Sequence, residues 1–140
     1  CKKMGISYVE IKASNQDELL KVITSIKNSD ADGILHITNA LLVANNKLLI
    51  DRTKKEKVPY FTTDAEIVEE GALANYGPNF YDIGRQSARL VDKVLTGIKP
   101  GTIPVEAPDK YDFIINLKTA NAIDIKISEN VLSMATRVIK

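Results

Sequence analysis

Apolar residues along this chain come in short bursts, and the spacing inside each burst alternates between strand-like and helix-like. From Ile6 to Ser14 the pattern alternates through Ile6, Tyr8 or Val9, and Ile11, which predicts a strand. Leu19, Leu20, Ile23 and Ile26 then recur at helical spacing. Ser14 or Asn15 offers the N-cap, with Glu18 placed for a capping box after Asn15. Gly33–Thr38 is a short apolar run with one interruption, fit for a buried strand. Residues 40–57 predict a helix capped by Asn39, with a stripe of Leu41, Ala44 and Leu48 flanked by Leu42 and Leu49. Residues 58–64 predict a third strand, and Asp64 can cap a short helix over 65–71. A weaker strand over 72–76 leads to a long helix. Its apolar face takes Ile83, Ser87, Leu90 or Val91, and Val94 or Leu95. Gly97 stops that helix and Pro100 prevents its continuation. Tyr111–Leu117 predicts a strand, and helices follow over 118–123 and, capped by Ser128, over 128–139.

Strands alternating with helices imply an α/β fold, a Rossmann-like and mostly parallel sheet with helices on both faces. Residues 98–110 are the one linker-like stretch. Lys2, Lys3 and Met4 read as the tail of a helix with Gly5 as its C-cap.

Composition adds exclusions. A length of 140 residues fits one domain of ordinary size, and 44% hydrophobic residues supply a core. With 19 basic and 18 acidic residues, the chain has no nucleic-acid or membrane-surface footprint. The run Lys54-Lys55-Glu56-Lys57 reads as the solvated end of a helix. No apolar run approaches the ~20 residues of a membrane span, and no signal-peptide pattern is visible. The single cysteine, Cys1, excludes an internal disulfide. A lipid-modified N-terminus is the alternative reading of that cysteine, but a strand pattern follows it directly, without a polar tether.

In an open parallel sheet, ligands bind beyond the carboxyl ends of the strands. That rule selects four loops: Ser14-Asn15, Thr38-Asn39, Thr62-Thr63-Asp64, and Tyr76 through Asp82. Three of them carry a helix N-terminus, where backbone N–H groups favour an anion such as a carboxylate. Asp64 complements an ammonium group. Tyr76, Phe80 and Tyr81 offer flat faces. An amino acid fits this inventory. Each residue also has a plainer role: Asn39 and Asp64 as N-caps, Asn79 with Asp82 as a capping pair, Phe80 or Tyr81 as core or staple. Arg85 can pair with Asp82 or Glu66, or be solvated. His36, the only histidine, reads as a buried structural residue rather than a metal ligand. There is no dinucleotide fingerprint, phosphate loop, Cys-x-x-Cys or nucleophile elbow. With no nucleophile beside an evident base, the inventory suits binding without catalysis, cofactor or metal.

Three stretches carry a resemblance: "DGILHITNALLVANN", "VPYFTTDAEIVEEGALANYGPNFYDIGRQSARLVDKVLTGIKPGTIPVEAP" and "FIINLKTANAIDIKIS". The most specific pieces are "EEGALANYGPNFYDIGRQ", "LTGIKPGTIPVE" and "INLKTANAI". Together they resemble the C-terminal half of ABC-transporter substrate-binding proteins of the tryptophan/tyrosine-binding type, which have a type I periplasmic-binding-protein fold. The resemblance implies a two-lobed protein that closes on an amino acid, aromatic by expectation, and delivers it to a membrane permease outside the cytoplasm. This chain then corresponds to the second ligand-binding lobe (residues 1–108) and a C-terminal crossover strand with helices (109–140) that dock on a first lobe. By matching position, ligand contacts fall to Thr38, Asn39, Thr63, Asp64, Tyr76, Asn79 and Tyr81, with Asp64 on the amino group. Without a first lobe, Phe113, Ile114, Ile115, Leu117, Val131, Leu132 and Met134 would lack a partner, and a homodimer or swapped tail is expected. The tail departs from the family pattern: Asp124 and Ser128 stand where members often have a glycine and a proline. "ITNA" also lacks an acidic residue that some relatives carry. The competing assignment is the effector-binding lobe of a lactose-repressor-like regulator, which shares the topology.

Overall fold

A computed structural model of the chain describes residues 2–37 and 39–140. Five strands form one sheet in the order of the sequence: β1 (Ile34–His36), β2 (Tyr60–Thr62), β3 (Ala74–Pro78), β4 (Tyr111–Asn116) and β5 (Arg137–Ile139). β1, β2 and β3 are parallel, β4 runs antiparallel to β3, and β5 is parallel to β4. The sheet is thus mostly parallel, in an α/β fold.

Register sorts the strand residues onto two faces. His36 pairs with Thr62, Thr62 with Asn75, and Asn75 with Ile114. This row, together with Tyr60, faces helices α1 (Gln16–Ser25), α3 (Asn46–Lys55) and α4 (Ala65–Glu70). The main core lies there: Leu19, Ile23, Leu49, Ile50, Tyr60, Ile67, Val68, Ala72 and Ile114. Each buried aliphatic side chain contributes roughly 1.5–3 kcal/mol by leaving water. A smaller cluster of Leu73, Ala120 and Ile123 sits under α6 (Leu117–Ala122).

The caps follow the sequence closely. Asn15 Oδ1 accepts from the Glu18 N–H at 3.0 Å, and the Glu18 carboxylate accepts from the Ser14 N–H at 2.8 Å. Asn116 caps α6 through the Thr119 N–H at 3.1 Å and donates to the Val68 carbonyl at 2.9 Å. Thr119 Oγ1 in turn donates to the Gly71 carbonyl at 2.9 Å. These bonds fasten the tail to the end of α4.

Several expectations are corrected. Residues 6–13 form no strand, and Ile6, Tyr8, Val9 and Ile11 are exposed. Alternation makes a strand only beside a ladder partner, and among the described strands β1 pairs only with β2. The helix expected over 40–57 is two: α2 (Ala40–Ala44) and α3, broken at Asn45. The Asn45 side chain donates back to the Leu41 carbonyl at 2.8 Å, so it competes with the helix ladder. Beyond the break the inward face shifts to Leu49 and Ile50, while Leu48 is exposed. The last predicted helix ends at Met134 as α7 (Glu129–Met134). The β-branched residues after it turn back along β4, with the Thr136 N–H donating to the Phe113 carbonyl at 2.8 Å. Within this sheet Ile114 and Ile115 are buried, so neither lacks a partner as expected. Met134 is exposed.

At the position where the tail departs from the family pattern the chain makes a turn. Asp124 takes the left-handed conformation, φ 60°, that a glycine there would adopt freely. Ser128 caps α7. The long helix α5 (Phe80–Leu95) buries no residue fully. Leu90, Val91, Val94 and Leu95 instead line an open hollow against Pro100, Ile103, Pro104 and Val105.

Candidate functional site

The three parallel strands end on one edge of the sheet, and each hands over to a helix through an Asn or Asp. Asn39 follows β1 and caps α2, its Oδ1 accepting from the Leu41 N–H at 2.8 Å. Asp64 follows β2 and caps α4, its Oδ1 accepting from the Glu66 N–H at 3.0 Å. Asn79 follows β3 and caps α5, its Oδ1 accepting from the Asp82 N–H at 3.1 Å. The plainer roles weighed for these residues are therefore real. They leave unequal capacity for a ligand. Asn79 is committed at both ends, since its Nδ2 donates to Asp112 at 2.8 Å. Asp64 uses one carboxylate oxygen in its cap, and the other takes no part in that bond. Asp82 pairs with Lys110 at 3.3 Å, rather than with Arg85.

The helix N-termini are weaker anion sites than the loop pattern implies. α2 has five residues and α4 six, so few peptide dipoles align behind them. Only α5, with 16 residues, is long, and Asp82 already sits in its first turn.

Thr63 joins β2 to Asp64, and the backbone of Gly77 lies against it. The β2 and β3 ends are thereby locked together. Thr62 Oγ1 accepts from the Asp64 N–H at 3.1 Å and bends the chain toward its cap. Thr38 lies outside the described residues.

The aromatics divide. Tyr76, Gly77 and Pro78 belong to β3 and not to a loop, so the strand runs two residues further than its apolar pattern. Tyr76 points to the face opposite Asn75 and stacks on Tyr111, ring centroids 5.6 Å apart and planes 11° apart. Phe113 meets it edge-on at 6.5 Å. Tyr81 lies in the first turn of α5 and is 74% exposed, and Phe80 is exposed beside it. Neither is core. Tyr111 and Asp112 escaped the sequence reading because only the antiparallel β4 register brings them opposite Pro78 and Gly77. Local spacing carries no signal of it.

Beneath this edge runs a buried polar chain. His36 Nδ1 is 2.7 Å from the Tyr60 hydroxyl, which donates to Asn46 Oδ1 at 3.1 Å. Asn46 Nδ2 reaches the Glu70 carboxylate at 3.5 Å. Burial pushes the His36 pKa down, against an opposing pull from the Asp64 charge. Burial, then the Glu70 and Asp64 charges, push the Tyr60 phenol up. His36 is a structural histidine, as its place inside a strand suggests.

A mostly parallel sheet with polar loops gathered at one carboxyl edge is the arrangement in which open α/β folds bind ligands. The chain matches the family described as ABC transporter substrate binding protein over residues 1–139, and it belongs to that family, one of binding proteins rather than enzymes. A tyrosine-binding protein of Clostridioides difficile (strain R20291) is 29% identical over 125 residues, covering 89% of this chain and 36% of that protein. A conserved domain protein of Vibrio cholerae superposes with a TM-score of 0.87 at 30% identity, covering 98% of this chain and 46% of that one. The ABC domain from Streptococcus pneumoniae in complex with L-Trp superposes with a TM-score of 0.88 at 25% identity, covering 99% and 46%. The chain therefore spans less than half the length of each of these relatives.

Proposed function

We propose that this chain forms one lobe of the extracytoplasmic solute-binding component of an ABC importer. In the proposed protein a first lobe closes over the carboxyl edge of β1–β3, and the ligand, an aromatic amino acid or a similar molecule, lies between the lobes. A permease is the downstream partner. The observation that carries this reading is the convergence of Asn39, Thr63–Asp64 and Asn79 on one sheet edge, with exposed aromatic faces beside it. The L-Trp complex and the tyrosine-binding relative support the ligand class.

In this proposal the free Asp64 oxygen meets the ligand's ammonium, with Thr38, Asn39 and Thr63 supplying polar contacts. Tyr81 packs on the ligand side chain. Asn79 acts through the shape of the α5 entrance, since both ends of its amide are in use. Tyr76, with Tyr111 at its back, presents its ring to the ligand or to the opposing lobe. A single lobe supplies only part of the contacts and leaves them wet, so binding by this chain alone should fall by several kcal/mol, each ~1.4 kcal/mol being tenfold.

The test is a thermal-shift screen of the twenty amino acids on the two-lobed protein, followed by calorimetry. Stabilisation by tryptophan, tyrosine or phenylalanine supports the proposal. No shift with any of them removes the ligand class.

A further inference from the structure

We propose that Asn79 and Asp112 form a latch that sets the angle between the sheet and an arm made of residues 79–110, and that this angle tunes ligand affinity in the two-lobed protein proposed above. The role in affinity rests on that proposed function, whereas the latch rests on this chain alone.

Register places the arm. β2 ends at Thr62, opposite Asn75, but β3 runs on through Pro78. β4 enters antiparallel, with Tyr111 opposite Pro78. β3 thus leaves through the carboxyl edge and β4 returns through it, so the residues between them leave the sheet on the side of Asn39 and Asp64. No residue of 79–110 enters either apolar core. The arm is held by bonds of its own. Gln86 donates to the Ala107 carbonyl at 2.9 Å and to the Glu106 carboxylate at 3.1 Å, and Arg89 pairs with Asp109 at 3.1 Å. These contacts fasten the return loop to α5 as one body.

That body meets the sheet at a narrow joint. The backbone bond there, from the Asn79 N–H to the Lys110 carbonyl, is 3.4 Å long. Among the described residues, a single side-chain hydrogen bond crosses from the arm into the sheet: Asn79 Nδ2 donates to Asp112 at 2.8 Å. Asn79 Oδ1 holds the Asp82 N–H, so one amide ties the first turn of α5 to β4. Both residues are half-buried. No core packing resists a swing of the arm, since α5 buries no residue fully. With 16 residues α5 is about 24 Å long, so a small change of angle at Asn79 carries its far end several ångström. A lobe closing on this edge meets an arm already held at one angle, which spares the cost of ordering it on closure.

Residual dipolar couplings of the amide groups of this chain test the latch. In the wild type, the couplings of α5 and of β1–β4 should fit one alignment tensor. Asp112→Ala keeps the Asn79 cap of α5, yet should shrink the α5 couplings so that they need a second tensor. Asp112→Asn offers an amide oxygen to Asn79 and should restore the single tensor. A single tensor in the alanine variant, two tensors in the wild type, or no rescue by asparagine overturns the latch. In the two-lobed protein, calorimetry with L-tryptophan should give about 2–10-fold weaker binding for Asp112→Ala and wild-type binding for Asp112→Asn. Equal affinity in all three proteins overturns the role in binding. A wild type that binds no tryptophan counts against the ligand class proposed above, and the latch then stands or falls on the couplings.

Discussion

Gly77 is packed directly against Thr63: a β-carbon at position 77 would lie 2.7 Å from the Thr63 carbonyl carbon and closer still to its oxygen. The neighbour is main chain, so no rotamer can swing away. This explains the glycine in "NYGPNFY": β3 must pass against the loop that presents Asp64. Gly77→Ala should cost about 1–3 kcal/mol as an overpacked contact, or move residues 62–64 outward. Urea denaturation of this chain reads the first effect and a crystal structure the second. Wild-type stability with Thr63 unmoved would refute the close approach.

Asn116 joins two elements through one buried amide. Asn116→Ala removes the cap of α6 and leaves the Val68 carbonyl unpaired. A lost cap costs typically ~1 kcal/mol and a buried unpaired group ~1–3 kcal/mol, so about 2–4 kcal/mol of destabilisation is expected. Asn116→Ser can keep the cap through its hydroxyl and should recover the cap's share, while the Val68 carbonyl stays unpaired. Equal midpoints for the alanine and serine variants in urea would remove the double role.

The depressed pKa of His36 predicts a pH dependence. The folded state favours the neutral ring, so its folded pKa lies below the ordinary 6.5. The His36 contribution to stability is then complete above pH 6.5 and is lost as pH falls through the folded pKa. Stability measured by urea denaturation between pH 7 and about pH 5 should fall, and His36→Gln should flatten part of that slope. A wild-type profile that rises on acidification in this range would contradict the burial of a neutral ring.

At Asp124 a non-glycine residue holds a left-handed turn, with Lys57 as its ion-pair partner. Lys57 is itself left-handed, φ 55°. Asp tolerates this conformation better than Ala, and Gly better than either. The exposed ion pair adds only about 0–1 kcal/mol. Asp124→Gly should therefore match or exceed wild-type stability, while Asp124→Ala should fall about 1 kcal/mol below the glycine variant. Thermal melts of the three proteins give the order, and an alanine variant as stable as the glycine variant would exclude a left-handed turn.

The helices and caps were legible in the sequence because their information is local. Asn15, Asn39, Asp64, Asn79 and Ser128 each sit beside the residues they cap. What escaped was set at long range. Residues 6–13 carry a strand's alternation, but a strand also needs a partner. Residues 137–139 lie in a stretch that reads as helix, yet the β4 edge recruits them into the sheet. Tyr111 meets Tyr76, and Asp112 meets Asn79, only through a register more than 30 residues apart in sequence. Asn45 breaks a helix that its apolar neighbours would continue, because one side chain returns to the backbone.

Asp64 offers the sharpest separation of structure from function. Its Oδ1 caps α4, a bond that an asparagine carbonyl can make equally well. Its charge is not needed for that cap. Asp64→Asn should therefore leave the stability of this chain within about 0.5 kcal/mol of wild type, while Asp64→Ala should lose about 1 kcal/mol with the cap. Ligand binding should respond differently. If the second oxygen meets an ammonium group, both variants of the two-lobed protein lose affinity at least tenfold, because each lacks the charge. Calorimetry of both variants with an amino acid that stabilises the wild type decides the matter. Loss in both assigns the charge to the ligand, whereas loss only in the alanine variant leaves Asp64 a cap and moves the ammonium contact elsewhere on this edge.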